Sequence, residues 1–516
     1  MNRRRANHQW RGWRWLASLA MVAMVARAIT AGAAAAGPDA IPRLPRMSPD
    51  YGGITIPPNI APLNFVLKEE PGRYRVRFAG PHGRPVEVAA ADRQVRIPEQ
   101  PWHELLQANT GGPVWMEVTR QNPPPGAAVY LAVTNQVARE AIDGWLAYRL
   151  IKPLYNLYVE VGIYQRNLAS FEQREILHNR RFDQGCVNCH TFRAQDPDTL
   201  ALHIRTKTHG APMLIRRGGE ILHVAKPAGY LGWHPSGQLL AFSNNKLSLI
   251  FHTTGESRDV FDAASDVGVY DVEANTIQMP AATADPQWQE TWPAWSPDGQ
   301  YLYFCRAPRK EPAEFRQVQY DLARVRFDLA TRTWGEPETL VAAAEIKRST
   351  AQPRISPDGR WLVFCEFPYG NFPVYQPGSD LHLMNLETRQ VRRLGLNSER
   401  AESWHGWSAN GRWLVFSSKR RDGLFARPHF SYFDPAGREH KPFILPQRDP
   451  EFYDSCLQTF NLPEFITGPV RVPPEELARA ILAPKEKRFP KAHPDPRRPA
   501  PAEAGAENAA ELTNPQ

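Results

Sequence analysis

Cys186-Val187-Asn188-Cys189-His190 sets two thiols and an imidazole at a spacing with chemical meaning. Two thiols with two residues between them can reach both vinyl groups of one porphyrin, and the next residue can place its imidazole on the iron. The pattern is that of covalent haem c attachment, with Cys186 and Cys189 as thioether donors and His190 as axial and metal ligand. Other uses of paired cysteines are a disulfide, a dithiol redox pair and half of a zinc site. Zinc wants a second thiol pair or paired histidines downstream, and no second Cys-x-x-Cys occurs. Thioredoxin-like chemistry wants a βαβ setting, which the residues around Gly185 do not provide.

His178, His203, His209 and Met213 lie near the motif. Asp198 to Thr206 (DTLALHIRT) reads as a helix that carries His203, with His209 just past its end. One turn and return could bring either imidazole over the opposite haem face, with Met213 as a further candidate sixth ligand. Three cysteines remain. Cys305 and Cys365 each follow the phenylalanine of a repeated strand and read as small buried residues. With Cys456 the number is odd, so at least one thiol stays free. No G-x-S-x-G elbow, H-E-x-x-H helix or phosphate loop appears, so no catalytic residue is assigned.

Haem c is attached outside the cytoplasm, and the N-terminus reads as an export address. Residues 1–36 hold six arginines and no acid, then the apolar run Trp15 to Ala26 and a small-residue stretch. The run is shorter than the ~20 residues that span a bilayer. An uncleaved anchor is the alternative reading, so a periplasmic location comes with possible loose membrane association. The net charge of +8 comes mostly from this segment, and the rest carries 56 basic against 54 acidic groups. That balance gives no basis for nucleic-acid binding.

The elements that must hold the motif follow from periodicity. With 42% hydrophobic and 22% charged residues the chain can bury a large core, and 49 prolines argue against a mostly helical fold. Residues 37–144 alternate in short strands such as Tyr74–Phe78 and Val114–Thr119, which reads as an antiparallel β-sandwich-like domain. Residues 145–209, including Gln173–Asn179, read as a helical linker that carries the haem site. Trp233-His234-Pro235-Ser236-Gly237, Trp295-Ser296-Pro297-Asp298-Gly299, Ile355-Ser356-Pro357-Asp358-Gly359 and Trp407-Ser408-Ala409-Asn410-Gly411 recur, each followed by an alternating strand that ends in Phe. Proline presets a turn and glycine returns the chain, so each copy opens a hairpin. Two hairpins per copy make a four-stranded propeller blade. Trp292, Trp295, Trp404 and Trp407 recur at blade starts and read as packing between blades. A short helix is expected at Glu475–Leu482 within a Pro/Ala-rich tail, 471–516, read as disordered.

The W-S-P-D-G-x-x-L-x-F copies resemble the repeats of TolB-type (WD40-like) β-propellers. Together with Ile163-Tyr164-Gln165-Arg166-Asn167 and Phe460-Asn461-Leu462-Pro463-Glu464-Phe465, the chain resembles exported bacterial TolB-like proteins with one haem motif before the propeller. The resemblance implies a mainly β fold: a β-sandwich-like domain, a short helical haem segment, and a propeller over 210–470. About five blades are expected, within a range of four to six, closed by pairing Met213–Ile215 or Ile221–Ala225 with the strand near Phe460. The resemblance names no function, but the haem motif leads to an expectation of electron transfer through one haem c, with the propeller docking a redox partner protein. The alternatives are a non-catalytic scaffold whose haem is structural or a sensor, and a haem redox enzyme with the domain order of cytochrome-cd nitrite reductases.

Overall fold

The four glycine-ended repeat turns, three of them with proline, fold as hairpin turns in the computed structural model, which describes residues 40–121, 128–152, 160–251 and 258–493. Ser296 Oγ donates to Asp298 Oδ1 (2.5 Å) and accepts the Tyr301 N–H (2.9 Å). Ser356 and Asp358 repeat this, as do Ser408 and Asn410. The glycines that follow, Gly299, Gly359 and Gly411, sit at φ +73, +72 and +66, where a side chain is strained. The fourth turn departs from Pro-Asp for a structural reason. Lacking proline, Ala409 donates its N–H to Asp143 (2.8 Å), and the Asn410 amide reaches the Ala141 carbonyl (2.7 Å).

Each turn joins the two innermost strands of a blade, and the described residues form a β-propeller of six such sheets. Blades 3 to 6 begin at Gly229–Trp233, Trp288–Trp295, Ser349–Ile355 and Glu402–Trp407. Blade 2 runs Cys186–Phe192, Leu200–Arg205, Met213–Arg217 and Glu220–Val224. Blade 1 is composite: Thr459–Ile466 is its inner strand, beside Trp145–Ile151, Val161–Asn167 and Gln173–His178. The strand near Phe460 therefore does close the ring, but onto Trp145–Ile151 and not onto Met213–Ile215 or Ile221–Ala225.

The described residues of 145–209 thus supply strands of the propeller and not a helical linker. Gln173–His178 and Leu200–Arg205 are the two segments expected as helix. Both contain good helix formers, yet ladder pairing and burial between blades override that weak preference. The extra strands raise the blade number from about five to six. Beyond the ring, Pro474–Leu482 is helical as expected. The next residues are not irregular: Lys487–Arg488 and Lys491–His493 add parallel fifth strands to blades 2 and 3. The remainder of the tail and the export segment lie outside the described residues.

The N-terminal domain packs a seven-stranded sheet against a three-stranded one. It departs from the expected pattern in two parallel pairings, Ala40–Ile41 with Ala128–Tyr130 and Gln136–Val137 with Thr55–Ile56. It also has a helix, Glu99–Ala108, which buries Trp102, Leu105 and Leu106. One core runs from this domain into blades 1 and 6 through Tyr148, Trp413 and Phe430.

Candidate functional site

The inner strands share one irregularity. In blades 1 and 3 to 6 the ladder skips two residues: Leu462-Pro463, Tyr230-Leu231, Trp292-Pro293, Gln352-Pro353 and Trp404-His405. The first of each pair has a positive φ, between +46 and +59. In blade 2 the ladder breaks between Val187 and His190, so the skipped residues are Asn188 and Cys189. The cysteine motif therefore occupies the bulge of its blade, a place where bulges re-aim side chains. Gly185 makes room for it: a Cβ there would lie 2.0 Å from the Arg205 carbonyl oxygen.

Cys186, Cys189 and His190 are all buried, and neither thiol is in a disulfide. Burial pushes both thiols up against the opposing charge of Arg149. The same burial, helped by Arg149, pushes His190 down to about 3, so its imidazole is neutral. His190 has no side-chain hydrogen bond, and only the Leu462 backbone on the closing strand works against the burial. The nearest carboxylate oxygen is Glu464 Oε2, 4.0 Å from Nε2. Glu464 belongs to the closing strand, and its Oε1 accepts the Phe192 N–H (2.9 Å). Arg149 Nη1 donates to the Asn188 carbonyl (2.8 Å) and to Asn188 Oδ1 (3.1 Å), which fixes the bulge from blade 1.

The candidate sixth ligands fall in three different places. His203 is buried, its Nδ1 3.3 Å from Asn188 Nδ2 and its Nε2 unpartnered. Burial holds its imidazole neutral. His203 pairs with Met213 across the ladder, whereas His190 pairs with Leu202. Directly paired residues project to one face, and successive residues to opposite faces. Leu202 packs toward blade 1 and Met213 toward blade 3. His190 thus faces blade 1, while His203 and Met213 face blade 3. His209 sits on the loop after Leu200–Arg205, next to Thr208 (2.8 Å) and Asp183 (4.0 Å). His178 ends the outer strand of blade 1, where Nδ1 accepts the Arg180 N–H (3.1 Å).

Cys189 shares a core with Tyr230, Trp292, Trp404 and Leu462, all residues of the bulges. Tyr230 stacks on Trp292 (3.5 Å between centroids), and Trp292 meets Trp404 edge-on at 5.2 Å. Of the four recurring tryptophans, Trp295 and Trp407 pack between blades as expected: Trp295 meets His234 of blade 3 at 4.7 Å, and Trp407 Nε1 donates to the Arg354 carbonyl of blade 5 (3.2 Å). Trp292 and Trp404 instead meet where the bulges converge. Cys305 and Cys365 are buried and free, with burial pushing Cys305 up to about 12. Sequence reasoning missed Arg149, Tyr230 and Glu464, since each reaches the motif only through ring closure or a bulge. Among the described residues no three His, Cys, Asp or Glu side chains gather as a metal cage.

No family model matches the chain, and no curated protein matches it. Similar solved structures share little sequence. A nidogen/laminin complex is 8% identical over 63% of this chain and 100% of that one, with a TM-score of 0.39. A puromycin-hydrolysing peptidase of Mycobacterium tuberculosis is 12% identical over 77% and 56% (TM-score 0.35). Hydrazine synthase of Kuenenia stuttgartiensis is 14% identical over 49% and 64% (TM-score 0.29). The six sheets themselves define the class, a mainly β protein built on a β-propeller.

Proposed function

We propose that this chain is an exported c-type haem protein that transfers single electrons, with the propeller docking its redox partner. The observation that carries the reading is the Cys-x-x-Cys-His sequence on a buried inner strand, with two thiols outside any disulfide and a neutral imidazole that makes no side-chain hydrogen bond. A haem c requires free thiols and a neutral imidazole, and these side chains are of that kind. Cys186, paired with Arg205, projects to the blade 3 face and His190 to the blade 1 face, so one group on all three requires the bulge to re-aim them. Cys186 and Cys189 would hold the group and His190 would ligate its iron. Tyr230 and Trp292, in the core that contains Cys189, offer aromatic surface to an apolar macrocycle. When bound, haem supplies a one-electron couple. Arg149 fixes the bulge, and Glu464 ties the strand after His190 to the closing strand.

One observation favours a second reading, a haem that binds a small ligand as a sensor or enzyme. His203 and Met213 face away from His190, so the structure brings no candidate to the side of the sheet that His190 occupies. Exporting the protein in cells competent for cytochrome maturation and titrating its visible spectrum with dithionite separates the readings. A reversible one-electron step with rapid exchange to a small redox protein supports transfer. A haem that is reduced but exchanges no electrons with a partner supports the second reading.

A further inference from the structure

The third blade carries a second polar feature that the haem reading does not use. Its strands Leu239–Phe251 and Arg258–Asp271 have 13 and 14 residues, against 8, 7 and 6 for the second strands of blades 4, 5 and 6. The extension carries Asp262 to the loop of blade 5 that holds Asn371. Asp262 is 2% exposed. Among the described residues no basic side chain pairs with it. Its carboxylate meets two amides and a phenol instead: Asn245 Nδ2, at 3.2 and 3.1 Å from the two oxygens, Asn371 Nδ2, and the Tyr320 hydroxyl.

Acceptors exceed donors around this carboxylate. Asn245 Oδ1 and Asn371 Oδ1 are buried without a partner, and Ser265 Oγ, directly across the ladder from Asn245, has the Tyr320 hydroxyl beside it. Asn371 is 1% exposed and Ser265 fully buried. Two orphaned amide oxygens beside a buried carboxylate with no cationic partner would be costly if nothing met them. The oxygen and nitrogen of an amide exchange places by rotation about its last torsion. Turned that way, Asn245 and Asn371 present carbonyl oxygens to the same point as Asp262.

We propose that Asp262, Asn245, Asn371 and Ser265 form a binding site for a hard cation, which pins the long hairpin of blade 3 to blade 5. A carboxylate, two amide oxygens and a hydroxyl are the ligand chemistry of calcium, which takes about six to eight oxygens. One charged ligand places the affinity in the weak class of extracellular sites, about 10⁻⁴ to 10⁻³ M. Trp292 is close by, with Nε1 donating to the Asn371 carbonyl (2.9 Å). The site therefore has a built-in optical reporter.

The test uses the full chain, stripped with chelator, with Ca2+ and Tb3+ as probes. Ca2+ at about millimolar concentration raises the melting temperature, and Tb3+ gains tryptophan-sensitised luminescence that Ca2+ displaces. Asp262→Asn loses both responses. Asn245→Asp adds a carboxylate, so it melts lower than wild type without Ca2+ and binds Ca2+ at least tenfold more tightly. A wild type indifferent to Ca2+, Mg2+ and Na+ overturns the site and leaves a proton on Asp262. An Asn245→Asp protein that Ca2+ fails to rescue overturns it equally, even where Asp262→Asn does not fold. Neither outcome depends on whether haem is attached.

Discussion

His190 Nε2 lies 4.0 Å from Glu464 Oε2, so the imidazole of the motif meets the strand that closes the ring. Glu464 Oε1 accepts the Phe192 N–H at 2.9 Å. Glu464→Ala leaves that N–H without its acceptor and costs about 1–3 kcal/mol. Glu464→Gln keeps an acceptor of the same length and costs less. Urea unfolding of both variants measures the difference, and equal losses would remove the hydrogen bond from the explanation.

With a haem bound as proposed, the iron's sixth position would follow from the faces of one sheet. His203 and Met213 project toward blade 3, and His190 toward blade 1. The ferrous protein should therefore bind carbon monoxide readily, and His203→Ala, His209→Ala and Met213→Ala should leave rate and spectrum unchanged. Conversion of a low-spin wild type to a high-spin His203→Ala protein would show that the sheet rearranges around its cofactor.

Glu290 supplies a pH dependence. Burial pushes its carboxyl up to about 8 from an ordinary value near 4.5. A folded pKa above the unfolded one means that the unfolded chain releases its proton first as pH rises. Stability contributed by the neutral form is complete below about pH 4.5 and is lost as pH rises toward 8. Glu290→Gln keeps an acceptor for the Asp285 N–H and should be more stable than wild type at pH 9, by about 1–3 kcal/mol. Melting curves from pH 5 to 9 that stay parallel for the two proteins would contradict this.

Two glycines separate backbone strain from steric exclusion. Gly359 has φ +72 and open space around it, so Gly359→Ala costs about 1 kcal/mol from the backbone alone. At Gly185 the added Cβ strikes a carbonyl oxygen at 2.0 Å. Gly185→Ala should displace the Cys186 strand, lowering both the yield of folded protein and its haem content. Haem content is the discriminating readout, because Gly359→Ala should not change it.

Blades 3 to 6 were legible in the sequence because Pro297-Asp298-Gly299 and its counterparts fix turns that only a few residue types tolerate. Blade 2 turns instead through Asp196-Pro197-Asp198-Thr199, without glycine, where Thr199 Oγ1 donates to Asp196 Oδ2 (2.8 Å). Leu200–Arg205 then reads LALHIR, which helical and doubly buried strands share, and context alone decides between them. In blade 1 the closing strand near Phe460 was legible, but its partner Trp145–Ile151 and the strands beyond it read as a helical linker. The bulges left no mark either. Tyr230, Trp292, Gln352, Trp404 and Leu462 take positive φ without being glycine or asparagine, so no local rule flags them. The motif itself was plain, since its chemistry depends on spacing and not on the element that carries it.

The central claim is covalent haem on blade 2. Intact mass measurement of the protein exported from cells with an active cytochrome-maturation system tests it directly. Wild type should carry the mass of one haem and stain for haem after denaturing electrophoresis, and the Cys186→Ala/Cys189→Ala double variant should show neither. A wild type of bare polypeptide mass under the same conditions would contradict the account.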